Sequence, residues 1–172
     1  MNGFAKGAGV MKLTWVLMLV VLMAASPAWA GNGAEPYCSD YQGAKVIWVA
    51  DSNLDEMAQN SLTFKATPVI RYNPGLLNSV DATIRDFVMN RQCGVHVLGF
   101  ILTDAVDHFD ARQRSIMADC WAASKLFYEE NLSRAGLDSI KEKINAMSRE
   151  SWLKFPGPVR VVDFESCALK DF

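Results

Sequence analysis

The sequence predicts an α+β domain in which a small N-terminal sheet is followed by three helices and stapled by disulfides. Three observations carry that prediction. β-Rich apolar runs come first in the mature chain, apolar residues then recur at three- and four-residue steps, and all four cysteines follow an export signature.

The export signature is LTWVLMLVVLMAA (13–25), preceded by Lys12 and followed by SPAWA, with small residues at Ala28 and Ala30. A basic start, a short apolar core and small residues at the exit describe a secretory signal peptide, residues 1–30, cleaved near Ala30. Met11 followed by Lys12 makes an alternative start. An uncleaved anchor is the competing reading, and the apolar run is short for a membrane span. Residues 31–172 then form one domain, large enough to bury a core, in the periplasm or outside the cell. A net charge of −2 with no basic cluster argues against nucleic acid, and no membrane partner is expected after cleavage.

Element by element, KVIWVA (45–50) reads as a strand. SLTFKATPVIRYNPG (61–75) reads as one or two strands around Pro68, ended by Asn73-Pro74-Gly75. Ile84, Phe87, Val88, Arg91, Val95 and Leu98 predict a helix over about 81–101. A second helix follows DHFD, with Asp110 as N-cap and Ile116, Cys120, Ala123 and Phe127 as its apolar stripe. GLDSIKEKINAMS is a third, wetter helix with Ile140, Ile144 and Met147 inward. Pro156-Gly157-Pro158 then breaks into an extended tail.

Cys38, Cys93, Cys120 and Cys167 are an even set in an exported chain, which suggests two disulfides; three pairings are open. A zinc–thiolate site has no C-x-x-C spacing behind it.

VIRYNPGLL (69–77), FVMNRQCGVHVLG (87–99), ADCWAASKL (118–126) and FPGPVRVVDFESC (155–167) together resemble a group of small exported bacterial gluzincin-like zinc peptidases of the HExxH kind. In that group the first helix reads H-E-C-G-H-H-x-x-G-H and the second E-x-x-A-D-C-W-A. The resemblance covers nearly all of the mature chain and implies a zincin-like fold. It also brings Cys93 and Cys120 onto facing helices, implying a Cys93–Cys120 bridge and leaving Cys38 for Cys167.

Aligned on Cys93-Gly94, the resemblance puts Arg91 and Val95 where the family has its histidine ligands. Gln92 falls on the catalytic glutamate and Ser115 on the third-ligand glutamate. Asp119 keeps the family residue type, as does His96. HExxH works because two imidazoles one turn apart meet one metal while the glutamate acts on its water. Arg91 has no lone pair to offer a cation, Val95 has no donor atom, Gln92 cannot take a proton from water, and Ser115 is a poor ligand. No catalytic residue is intact and no zinc or other cofactor is expected. The expected role is a pseudopeptidase that binds an unknown peptide or protein of the envelope, or acts as a scaffold there. If the second helix packs as the resemblance implies, removing a dication from beside a buried carboxylate leaves its charge uncompensated, and Arg91 is the candidate to take the metal's place in a bidentate pair with Asp119; the competing reading has Arg91 in solvent and Asp119 capping a backbone group.

The alternative is an active hydrolase with a rearranged metal site built from His96, His108 and Asp119, with zinc as its cofactor and Asp104, Asp107 and Asp110 nearby. Its ligands lack helical or hairpin spacing, and DAVDHFD is more simply a solvated loop. Cys93 as a nucleophile lacks a demonstrated base. Trp48, Trp121 and Trp152 are candidates for lining a groove, with core packing the simpler reading for Trp121 and Trp152 a candidate cover for the cleft mouth. A third reading is a purely structural envelope protein without a ligand.

Overall fold

The computed structural model describes residues 36–170; the expected signal peptide lies outside the described residues. The fold is α+β. Strands β1 (Ile47–Ala50), β2 (Ala58–Leu62) and β3 (Pro68–Tyr72) form one sheet of order β1-β3-β2. β3 runs parallel to β1 (Trp48 opposite Ile70) and antiparallel to β2 (Asn60 opposite Ile70). The segment from 61 to 75 therefore holds one whole strand and part of another. They are joined at Thr63, whose N–H donates to the Thr67 carbonyl.

Five helices follow: α1 (Pro74–Asn78), α2 (Ala82–Val97), α3 (His108–Tyr128), α4 (Arg134–Asn145) and α5 (Arg149–Lys154), with a 3₁₀ turn at Glu165–Cys167. Two of these correct the sequence reading. Asn73-Pro74-Gly75 ends a strand as expected, but it also starts α1. The Asn73 side chain accepts from the N–H groups of Gly75 and Leu76, and Pro74 occupies a first-turn position where its missing N–H is no loss. Ser148 similarly caps α5, a turn the sequence reading left out.

α2 is shorter than expected at its C-terminal end and begins at Asp81, whose carboxylate accepts from Ile84 N–H. α3 is capped by Asp107 rather than Asp110. Asp107 accepts from Asp110 N–H at 2.8 Å, while Asp110 sits in the first turn and reaches back to Val106 N–H. The apolar stripe assigned to α3 is also rotated. Its buried face is Ser115, Ala118, Asp119, Ala122, Ala123 and Leu126, whereas Ile116, Cys120 and Phe127 are only half-buried. Two polar residues on the inward face disguise its phase. In α4, Ile140 and Ile144 are inward as expected, while Met147 lies beyond the helix end and is partly buried.

The core lies between the sheet and α2, with α3, α4 and the tail closing around it: Ile70, Phe87, Val88, Ile140, Ile144, Phe155 and Val162 are fully enclosed. Residues 90–94 of α2 are buried on every side, since the sheet covers one face and α3 the other. α3 approaches closely at Gly94, where a β-carbon would stand 3.1 Å from the Trp121 ring. Trp48 and Trp152 belong to this core, and Trp121 packs on it; none of the three lines the cleft described below. Among the described residues no helix is long and apolar enough to cross a membrane.

The disulfides are Cys38–Cys93 and Cys120–Cys167, not the expected Cys93–Cys120 and Cys38–Cys167. Helix geometry explains the difference. Arg91 and Gly94 lie on the α2 face that meets α3, and Cys93, about 200° from Arg91 and about 100° from Gly94 around the axis, points away from it. It meets Cys38, ahead of β1, instead. Both bridges fit an oxidising compartment. Proteolytic fragments of unreduced protein are expected to stay linked as 38–93 and 120–167, each bridge adding about 2–4 kcal/mol; a fragment joining Cys93 to Cys120 would refute the fold.

Candidate functional site

Arg91, Gln92, Val95 and Ser115, from the facing helices α2 and α3, all line one cleft of about 300 Å³. Asp119 lies behind this wall. The β2 residues Ala58, Gln59 and Asn60 form one side of the cleft, with Glu56 just before them; Phe100, Asp104 and Arg114 come from the α2–α3 connection and α3, and Pro156 and Gly157 from the tail.

The floor is ionic. Arg91 Nε donates to Asp119 Oδ1 at 2.9 Å, with both side chains about 95% buried. The contact expected from the sequence is present, but Arg91 is not the bidentate partner. That partner is Arg160, which sequence reasoning missed. Its Nε reaches Asp119 Oδ2 and its Nη2 reaches Oδ1, both at 2.6 Å, in a fork. Arg160 Nη1 is spent on the Pro158 carbonyl. In the extended tail, side chains alternate between inside and outside. Val162 and Phe164 are in, so Arg160 is in, while Val159 and Val161 are out. Burial holds the Arg91 guanidinium down to about 10, against the pull of Asp119 and with a push from Arg160; it remains a cation at neutral pH.

Gln92 joins this floor to the sheet. Its Nε2 donates to the Ala58 carbonyl at 2.5 Å, and its Oε1 accepts from Asn60 Nδ2 at 2.8 Å and from Arg91 Nη1 at 3.3 Å. Across the sheet, Tyr72 gives its carbonyl to Asp51 on the β1 side, and Met57 accepts from Asn73. Ala58 and Asn60 therefore turn their main-chain groups away from β3, toward the open edge of β2. Glu56 is half-buried at the rim; desolvation raises its pKa above the ordinary glutamate value, against the attraction of Arg91.

His96, His108 and Asp119 do not assemble. His96 is fully enclosed with its Nε2 3.3 Å from the Val69 carbonyl, an oxygen that only accepts, so that nitrogen carries the proton. His96 Nδ1 is buried without a partner. His108 stands at the exposed start of α3. Among the described residues no group of three or more His, Cys, Asp or Glu could hold a metal ion.

Two measurements check this site. Asp119→Ala, which leaves two buried guanidiniums without a counter-charge, is expected to cost about 3–5 kcal/mol in denaturant unfolding. Arg91→Met, which leaves the neutral Arg160–Asp119 fork, is expected to cost less, about 1–3 kcal/mol; the reverse ranking would show that Arg160 is not the principal partner. Desolvation lowers the His96 pKa below its ordinary value of 6.5. The unfolded chain therefore takes up a proton first, so stability is full above about pH 6.5 and falls as pH drops toward the depressed folded value. His96→Gln is expected to flatten the loss of melting temperature between pH 7 and 5; an unchanged slope would remove His96 from this role.

No family model, curated protein or solved structure matches this chain.

Proposed function

We propose that this chain is an exported, catalytically inactive relative of the gluzincin-like peptidases that binds an extended peptide in the cleft between β2 and the α2–α3 pair. One observation carries the reading: an open strand edge borders a cleft whose floor is locked by buried ion pairs. Sheet edges with free main-chain groups take up extended peptides by strand addition, and side-chain pockets then select among them. Asn60 offers its main chain at that edge, and Phe100, Val95 and Pro156 supply apolar contact beside it.

The inactive half of the proposal rests on chemistry. At the place a zinc ion would need, the Arg91 guanidinium stands against Asp119, and a fixed cation repels a dication. Gln92 has neither the charge nor the basicity to activate water, and its amide is engaged on both sides. A rearranged metal site would require His96 to leave the core and Asp119 to leave two arginines.

Oxidised, exported protein is expected to carry far less than one zinc per chain and to melt alike with and without a strong chelator. A set of extended peptides is expected to slow hydrogen exchange at residues 58–62. Stoichiometric zinc would overturn the inactive reading, and exchange that no peptide alters would overturn the peptide reading.

A further inference from the structure

The donors on the cleft floor are not all used. Arg91 commits Nε to Asp119 and Nη1 to Gln92, but among the described residues its Nη2 has no acceptor, and neither has the Ser115 hydroxyl. Both residues are more than nine-tenths buried, 3% and 6% exposed. Both residues line the cleft beside Gly157, which packs directly against the two donors: a β-carbon there would collide with Arg91 Nη2 at 2.7 Å and press on Ser115 Oγ at 3.1 Å, so glycine, here at φ +84°, is what leaves them uncovered.

Charge on the floor is also unbalanced. Arg91 and Arg160 carry two positive charges and Asp119 one negative, leaving a net positive charge beside the cleft. Glu56 is the nearest candidate to offset it, yet it forms no ion pair with either guanidinium. A buried cation with unspent N–H groups is best satisfied by an acceptor-only anion with two oxygens.

We propose that Arg91 Nη2 and the Ser115 hydroxyl, over the bare face of Gly157, form a receptor for one carboxylate of the bound peptide. This rests on the peptide reading of the cleft and gives it a polarity. A chain laid along β2 is anchored at its carboxylate end on α2 and α3, through a C-terminus or an acidic side chain. A phosphate would bring a second negative charge against Glu56 and Asp104 at the rim, so a singly charged group fits better. Glu56 weakens any anion at this spot and so sets the affinity.

The test uses the oxidised full-length mature chain, labelled with ¹⁵N, following the Arg91 Nε–H and Gly157 amide signals. The probes are N-acetyl-tetra-alanine with a free C-terminus, its C-terminal amide, an amide carrying one internal glutamate, and sodium acetate. The free acid is expected to bind at least tenfold more tightly than the plain amide. Glu56→Gln is expected to strengthen it several-fold, and Ser115→Ala to weaken it several-fold. Arg91→Lys, which keeps the charge but loses the Nη2 edge, is expected to lose tenfold. Should Arg91→Lys not fold, the opposed effects of the other two variants decide the matter. Tight binding of the internal-glutamate amide would identify a side-chain source and support the receptor equally. If acid and amide bind alike, the receptor is wrong and the groove stands. If acetate moves both signals while no peptide binds more tightly than acetate, the receptor stands and the groove falls. If nothing moves them, both are wrong.

Discussion

Asp119 is held by three hydrogen bonds from two guanidiniums, and the arrangement of the domain around the cleft follows from that grip. A carboxylate this deeply enclosed cannot stand alone, because desolvating an unpaired charge is far more costly than any single packing contact returns. Arg91 comes from the middle of α2 and Arg160 from the tail after Pro158. One side chain of α3 therefore ties together a helix, its neighbour and a segment with little regular structure. Asn145 adds a second tie on the tail, donating to and accepting from Val162 at 2.8 and 2.9 Å.

Such a cluster is an inefficient way to gain stability. Well-packed apolar side chains of the same volume often do as well or better. Its consequence is directional. An apolar replacement would tolerate several rotations of α3 against α2, whereas a two-armed fork on one carboxylate tolerates very few. The same geometry displaces the cysteines. With Arg91 committed to α3, Cys93 turns to Cys38 ahead of β1, and Cys120, one residue past Asp119, turns out to Cys167. The ionic floor and the disulfide pattern are two results of one helix phase.

That coupling marks how far the sequence can be read. The strands at 47–50 and 68–72, the first turns of α2 at Ile84, Phe87 and Val88, and the inward face of α4 follow from apolar periodicity, whereas Val95 and Leu98, read onto the same α2 stripe, are only half-buried. The meeting of Arg91 with Asp119 is reached only through what the resemblance to the gluzincin-like group implies, together with the need to compensate a charge. Four features do not follow. Asn73-Pro74-Gly75 carries stop and start signals at once, and only the chain beyond shows that a helix begins. In Val159–Phe164 the two phases of an extended chain are nearly equally apolar, so nothing local says that arginine, rather than valine, faces inward. The cysteine pairing depends on angles around a helix axis that a facing-helix argument ignores. In α3 the inward Ser115 and Asp119 look like surface residues until Arg91 and Arg160 are placed beside them.

Position 92 shows why these departures belong together. Its side chain must donate to the Ala58 carbonyl and accept from Asn60 and Arg91 at the same time. An amide does both; an ionised carboxylate only accepts, and at that place it would face a carbonyl oxygen with no proton between them. With a cation in the floor and a strand carbonyl opposite, glutamine is the residue that satisfies each neighbour. It also fixes the edge strand: once Ala58 is engaged by Gln92, the next outward-facing main chain is that of Asn60. In the proposed reading, glutamine at position 92 thus sets where along β2 a peptide begins to pair.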